Sequence, residues 1–166
     1  DGFRTIRARE AGYDGAVPGP VLRVKRGEEV KVRLVNESAD ETAIHWHGVR
    51  VPNAMDGTSL TQRPVPPGAS FDYRFTPPDA GTFWYHASSR SIEDRALYGL
   101  LIVDEVEQID VDRDLAVIFD AWTLGADGNV DKDGVNQFTI NGRNALDIPV
   151  VTNERVRLRI LNAARN

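Results

Sequence analysis

Two of the chain's three histidines lie two residues apart, in the stretch His45-Trp46-His47-Gly48. The β-forming residues of positions 42–51, with turn-forming residues on both sides, predict a strand there. Side chains alternate between the two faces of a strand, so His45 and His47 should project from one face and Trp46 from the other. Their α-carbons would be roughly 6.6 Å apart. Two imidazoles so placed can bind one transition-metal ion or reach two adjacent ions.

The third histidine, His86, ends the apolar run Thr82-Phe83-Trp84-Tyr85-His86. Taken alone, a histidine at the end of an aromatic strand is either a hydrogen-bonded core residue or a ligand, and both interpretations stay open. For the His-x-His pair beside a tryptophan, a metal site is the favoured interpretation.

Composition excludes several classes of function. The chain has 166 residues, 41% of them hydrophobic and 27% charged, as in an ordinary globular protein. Its net charge of −5 argues against nucleic acid as the main partner. No run approaches the ~18 apolar residues that span a membrane, and the first ten residues carry no signal-peptide pattern. The absence of cysteine excludes disulfides, thiolate catalysis and cysteine-ligated metals in this chain.

Short apolar segments alternate with Gly, Pro, Asn and Asp turns, and long helical periodicity is missing, which is typical of an all-β sandwich or barrel. The predicted strands, besides the two that carry histidines, cover residues 21–24, 30–36, 70–76, 100–103 and 115–122. Residues 106–114 are acidic and polar and are interpreted as a linker.

The two ends of the chain resemble each other. Residues 24–36 align with residues 150–162 in turn, alternation, basic outer positions and terminal Asn, which indicates two copies of one fold. Chance similarity between two amphipathic hairpins is the alternative. Because the second copy stops four residues after Asn162, we expect a chain cut inside its second domain. The hairpin 150–162 should then expose an unpaired apolar edge and promote association.

Three lesser motifs are interpreted structurally. The segment Asn129-x-Asp131-x-Asp133-Gly134 begins like a calcium-binding EF-hand loop, but Ile140 stands where the bidentate acid belongs, so a solvated turn is expected. Ser91 with Asp94 resembles a capping box for a short helix. The single methionine, Met55, is predicted to pack rather than to bind copper.

Taken together, the ordered motifs of residues 15–105 resemble the multicopper oxidases, the laccase-like family built from cupredoxin domains. The motifs that carry the resemblance are His45-Trp46-His47-Gly48, Met55-Asp56-Gly57, Thr61-Gln62-x-Pro64, Pro67-Gly68, Phe71-x-Tyr73, Asp79-Ala80-Gly81-Thr82-Phe83-Trp84-Tyr85-His86 and Tyr98-Gly99-Leu100-Leu101-Ile102-Val103. Later segments resemble the opening of the family's second domain: Asp120-x-Trp122, Asn141-Gly142-Arg143 and 157–163.

The resemblance implies an eight-stranded, cupredoxin-like Greek-key β-barrel or sandwich over residues 1–105, followed over 106–166 by a linker and a partial second cupredoxin-like domain. We expect a closed barrel with the three histidines converging on one edge. It also implies a trinuclear copper centre shared with the family's last domain. By resemblance, His45 would ligate the type 2 copper and His47 and His86 a type 3 copper, while Asp56 would assist proton delivery. The family usually has a fourth histidine at the position of Ser88.

By resemblance, the chain is the N-terminal part of an oxidoreductase that takes single electrons from a small-molecule or metal-ion donor and reduces O2 to water. The type 1 copper of the family needs a cysteine, which this chain does not supply, so the chain alone is expected to be inactive. Two alternatives remain: a copper-depleted cupredoxin scaffold, which Ser88 favours, and a simple three-histidine metal-binding module. A periplasmic or secreted location is implied by resemblance, and homo-oligomers or further C-terminal domains are possible partners.

Overall fold

The structure is a computed structural model that describes residues 2–88, 96–127 and 133–164. It divides into two compact units, Asp1–Gln108 and Ile109–Asn166. The predicted capping box at Ser91 and Asp94 lies outside the described residues, as do Asn129 and Asp131 of the loop that begins like an EF-hand.

Within its described residues, the first unit contains eight strands and a turn of 3₁₀ helix, Asn53–Met55. The strands are β1 (Arg4–Arg9), β2 (Gly12–Tyr13), β3 (Leu22–Lys25), β4 (Val30–Asn36), β5 (Ile44–His47), β6 (Ser70–Phe75), β7 (Gly81–Ala87) and β8 (Tyr98–Asp104). They form two four-stranded sheets, ordered β2-β1-β4-β6 and β3-β8-β7-β5. The all-β prediction is confirmed. The expectation of one closed barrel is wrong in detail, because the described strands pair into two separate sheets of a sandwich.

Alternation along the strands explains why the sheets pack. Every second residue of β4, from Val30 to Asn36, is buried, and those between are half-buried. In the other sheet, Trp46 of β5 and Tyr85 of β7 are fully buried. The apolar faces of both sheets thus meet in one core.

The strand that carries two histidines is shorter than predicted: it covers four residues, Ile44–His47, rather than ten. Gly48 ends it, because its φ of 80° is a left-handed conformation that leaves the extended region. The Val49 N–H then donates to the Trp46 carbonyl at 3.1 Å and closes a turn. On the other side, Thr42 forms only an isolated bridge, with Val65.

The described residues of the second unit form a three-stranded sheet ordered β10-β9-β11, made of β9 (Arg113–Leu124), β10 (Val135–Ile140) and β11 (Val156–Asn162). Strand β11 runs parallel to β9, with Asn162 opposite Phe119. Strand β10 runs antiparallel to β9, with Ile140 opposite Phe119.

This arrangement repeats that of the first unit. There, β4 runs parallel to β1 with Asn36 opposite Ala8, and β2 runs antiparallel to β1 with Tyr13 opposite Ala8. In both units the central strand is therefore flanked by a short-range antiparallel strand and a later parallel strand, at matching register.

The turn before the parallel strand also repeats. The Glu28 N–H donates to the Lys25 carbonyl at 3.0 Å, and the Lys25 N–H donates to the Glu28 carboxylate at 3.1 Å. Glu154 and Val151 make the same two hydrogen bonds, at 3.1 and 3.2 Å. The predicted hairpin is nevertheless wrong, because residues 150–155 are not a strand and β3 and β4 belong to different sheets. Each turn instead leads into a strand that pairs in parallel with the first strand of its unit.

Candidate metal centre

The three histidines meet on the face of the β3-β8-β7-β5 sheet that points away from the buried Trp46. His45 lies opposite His86 in the antiparallel pair of β5 and β7. The ring centroids of His45, His47 and His86 are 5.4, 5.5 and 5.7 Å apart in the three pairs. The predicted convergence of the three side chains is therefore confirmed.

Their nitrogen atoms are placed as ligands of a metal ion would be. One ring nitrogen from each histidine lies within 4.8 Å of the others, in a group that could hold a metal. Two of these atoms, His47 Nδ1 and His86 Nε2, are 3.3 Å apart. Two nitrogens bound at about 2.0 Å to one tetrahedral ion stand about 3.3 Å apart. The donor set and its spacing thus fit a transition metal that accepts imidazole ligands.

Backbone carbonyls indicate which ring nitrogen carries the proton in two of the rings. The Nδ1 of His45 lies 2.9 Å from the Asp56 carbonyl oxygen, and the Nδ1 of His86 lies 2.8 Å from the Ala87 carbonyl oxygen. A carbonyl oxygen can only accept, so both Nδ1 atoms carry the proton. The Nε2 atoms of His45 and His86 are consequently the ones that would bind a metal.

Asp56 reaches the site from the side of His45. The 3₁₀ turn ends at Asp56, whose N–H donates to the Asn53 carbonyl at 3.1 Å. Its carboxylate Oδ1 lies 3.4 Å from His45 Nδ1, and both side chains are about one-quarter exposed, at 27% and 25%. Asp56 is thus positioned beside a histidine and outside the group of possible ligands.

Gly57 allows the backbone of the turn that carries Asp56 to lie close to β5. Its φ is 74°, and a Cβ atom there would overlap the Ile44 carbonyl oxygen. Only glycine fits, because a left-handed conformation and a backbone contact coincide at this position.

Ser88 stands at the position where the resemblance implies a fourth histidine. It makes hydrogen bonds that connect two backbone segments. Its hydroxyl donates to the Gly57 carbonyl at 2.6 Å, and its N–H donates to the Ala43 carbonyl at 3.1 Å. Ser88 thereby ties the end of β7 to the turn that carries Asp56.

On the opposite face, Trp46 anchors β5 in the core. Its ring packs edge-to-face on Tyr73 and Phe75, with centroids 5.4 and 4.9 Å away. The Tyr73 hydroxyl accepts the Ile44 N–H at 2.8 Å and the Gln62 amide at 3.1 Å. Burial, only partly offset by these hydrogen bonds, raises the pKa of Tyr73 to about 12. The neutral phenol of Tyr73 therefore holds the histidine-bearing strand from the core side of the sheet.

Sequence reasoning missed the contribution of Gly57, because it depends on which backbone segments meet. The prediction for Met55 is confirmed: it packs against the core, and its sulfur accepts the Arg74 N–H at 3.3 Å.

Comparison with solved structures identifies the fold. The chain matches the crystal structure of a multi-copper oxidase from Pseudomonas thermotolerans with a TM-score of 0.86 and 31% identity, over 98% of this chain and 46% of that chain. Together with the two-sheet architecture, this defines a cupredoxin-like β-sandwich.

The family follows from the sequence. The family model described as "Multicopper oxidase" matches residues 4–108, and the chain belongs to that family. It is 39% identical over 114 residues to the multicopper oxidase MmcO of Mycobacterium tuberculosis, covering 68% of this chain and 23% of that protein. It is 37% identical over 113 residues to copper resistance protein A of Escherichia coli, covering 66% and 19%. The chain thus spans about a fifth of the length of these relatives. Within the described residues, no helix is long and apolar enough to cross a membrane.

Proposed function

We propose that this chain is the N-terminal part of a multicopper oxidase and that His45, His47 and His86 are copper ligands. The observation that carries the proposal is the cluster of three imidazoles, each with a ring nitrogen within 4.8 Å of the others, on a sandwich that the family model matches. Copper is favoured over other divalent ions at such a nitrogen site by its higher affinity.

Each ligand has a role within the proposal. His45 is the type 2 ligand, and His47 and His86 are type 3 ligands of a trinuclear centre completed by other parts of the whole protein. Copper bound there supplies single-electron chemistry toward O2. The chain's own residues position the ligands: the Asp56 and Ala87 carbonyls hold the His45 and His86 rings by their Nδ1–H groups.

Asp56 is proposed to bind and release protons during O2 reduction. Reduction of O2 to water consumes protons, and a carboxylate beside the ligand cluster can hold one on Oδ1 and release it. Its Oδ1 lies 3.4 Å from His45 Nδ1, and the side chain is 27% exposed, so it faces both the cluster and solvent.

We further propose that residues 106–166 begin a second cupredoxin-like domain. The support is the matching order and register of the three strands in the two units. The whole protein is proposed to be exported, to the periplasm or outside the cell, as its resemblance to the laccase-like family implies. Its partners would be O2 and a reducing small molecule or metal ion, with oligomers possible. The converging ligand positions argue against a copper-depleted scaffold.

Copper stoichiometry after dialysis tests the proposal on the 166-residue chain. The wild-type chain should retain about one Cu(II), while His47→Ala and His86→Ala should retain much less. Asp56→Asn is the matched control, because it changes a neighbour of the site while leaving every ligand, and it should retain copper. Equal retention by the wild-type chain and both histidine variants would overturn the assignment. With a phenolic donor, the chain alone should consume no O2, because it has no cysteine for a type 1 site.

A further inference from the structure

Trp84 shares the outer face of the sheet with the histidines. In the pairing of β5 and β7 it lies directly opposite His47, just as His86 lies opposite His45. Residues directly opposite in an antiparallel pair project from the same face with Cβ atoms about 5 Å apart. The face therefore carries a block of four rings, three imidazoles and one indole.

The indole packs against two of the three imidazoles. Its centroid lies 4.3 Å from that of His86, with 37° between the ring planes, and 5.1 Å from that of His47, with 35°. These are the two rings whose nitrogens are 3.3 Å apart. Trp84 thus packs against both members of this pair of possible ligands.

His47 needs such support more than the other two. His45 and His86 donate to backbone carbonyls, but across the described parts of the chain the only hydrogen-bond partner of the His47 ring is His86 itself. His47 is also the exposed member of the three. The χ2 angle of histidine is broad and roughly two-fold, so without a neighbour the Nδ1 atom would often point away from His86.

We infer that Trp84 is a positioning residue of the metal centre: it holds the His47 and His86 rings in the orientation in which both present a nitrogen to one metal ion. Two effects act together. Aromatic packing restricts the rotation of both rings, and the face of an indole attracts the positive charge that a metal places on its ligands. This inference rests on the proposed function, because it assumes that the three histidines bind copper.

The test compares Cu(II) affinity, and the Cu(II) electron paramagnetic resonance spectrum, for the full 166-residue chain and four variants. Trp84→Leu removes both ring contacts and should weaken binding by about tenfold. Its spectrum should broaden or split as His47 adopts several orientations. Trp84→Phe keeps a ring and should restore most of the affinity and the single spectrum. Trp122→Leu is the matched control that removes an indole elsewhere, and it should bind as the wild-type chain does. Trp84→Val is the substitute if Trp84→Leu does not fold.

The outcomes separate the two proposals. If the wild-type chain binds no Cu(II), the proposed function fails and this inference fails with it. If the wild-type chain binds Cu(II) and the variant without a ring at position 84 binds it equally well with an unchanged spectrum, only the inference about Trp84 is overturned. Equal losses in Trp84→Phe and Trp84→Leu would also overturn it, because the aromatic ring would then not be the feature that matters.

Discussion

The hydroxyl of Ser88 donates a 2.6 Å hydrogen bond to the carbonyl oxygen of Gly57, across 31 positions of sequence. Gly57 follows Asp56, whose carbonyl oxygen accepts the Nδ1–H of His45. Ser88, at the position where the resemblance implies a fourth histidine, is therefore linked to His45 through the backbone of residues 56–57.

This relationship gives opposite expectations for two substitutions. Ser88→His adds an imidazole on the side of the cluster and should tighten Cu(II) binding by about tenfold or more. Ser88→Ala removes the hydrogen bond to Gly57 without adding a ligand, and should cost about 1 kcal/mol of stability with no gain in affinity. Calorimetric titration with Cu(II) and chemical unfolding check both. Tighter binding by Ser88→Ala would show that the hydroxyl, rather than the missing imidazole, limits copper binding.

Cu(II) binding should also depend on pH. The proposed ligand atoms are the Nε2 of His45 and His86 and the Nδ1 of His47, and each must be unprotonated to bind a metal. Protons compete with Cu(II) for the same lone pairs, so affinity should fall as pH decreases. Titrations at constant ionic strength measure the effect. Asp56→Asn should show the same pH dependence, because its carboxylate is not among the ligands. An affinity independent of pH would mean that Cu(II) binds elsewhere.

Gly57 and Gly68 offer a matched pair for testing the backbone beneath the site. Both have positive φ, 74° and 77°, but a Cβ atom at Gly57 would overlap the Ile44 carbonyl, whereas one at Gly68 meets nothing within 4 Å. Gly68→Ala should cost about 1–2 kcal/mol, the strain of a left-handed residue. Gly57→Ala should cost more than about 3 kcal/mol, because the turn must also move away from β5. Urea unfolding of the two variants gives the comparison, and equal losses would contradict the close approach.

The candidate metal centre could be predicted largely from sequence, because it depends on the alternation of side chains between the two faces of a strand. His45 and His47 share a face and Trp46 the opposite one simply because strand side chains alternate, and the buried Trp46 confirms this. That His86 joins them required the resemblance to a known family, since nothing local says which strands become neighbours.

The strand pairing and register could not be predicted, because they depend on contacts between segments that are distant in sequence. The parallel pairing of β11 with β9 contradicts the hairpin that local turn chemistry suggested, although the turn itself was located correctly. Gly27 and Asn153 show why: both have positive φ, 89° and 67°, and both support a tight turn. A tight turn does not require its two arms to pair with each other, however. The register that sets Trp84 opposite His47 is decided in the same way, by contacts that the sequence pattern does not contain.

Alkaline pH should destabilise the first unit through Tyr73. The pKa of Tyr73 is raised to about 12 by burial, whereas a tyrosine in an unfolded chain titrates near about 10. The stabilisation is fully present below pH ~10 and is lost as pH rises through ~12, because only the unfolded chain releases the proton readily in that window; the loss is of order 2 kcal/mol. Burial raises the pKa of Tyr85 as well, in the same direction. Urea unfolding at several alkaline pH values should show a shallower decline in Tyr73→Phe than in the wild-type chain. An identical decline in both would show that Tyr73 does not titrate on unfolding.

The second unit has an exposed apolar face on its sheet. The corresponding residues of the first unit are buried in its core. Leu158 and Ile160 of β11 are 48% and 60% exposed, whereas Val32 and Leu34, at the matching positions of β4, are 2% and 0% exposed. Phe138 of β10, 68% exposed, adds to the same apolar surface. Among the described strands, β4 is flanked on its second edge by β6, and β11 has a partner only in β9. Exposed apolar faces beside an unpaired strand edge promote association.

We therefore expect the 166-residue chain to associate as its concentration rises, and a charge on this face to prevent it. The double variant Phe138→Lys with Ile160→Lys should sediment as a monomer over a range of concentrations in which the wild-type chain forms larger species. Its unfolding free energy should change little, because substitutions at exposed positions are usually within about 0.5 kcal/mol. Gln137→Lys is the matched control: it adds a positive charge at the exposed neighbour of Phe138, whose side chain alternates to the opposite face, and it should associate as the wild-type chain does. If the wild-type chain is monomeric at every concentration, this apolar face does not drive association. If all the variants associate equally, contacts elsewhere on the chain drive the assembly.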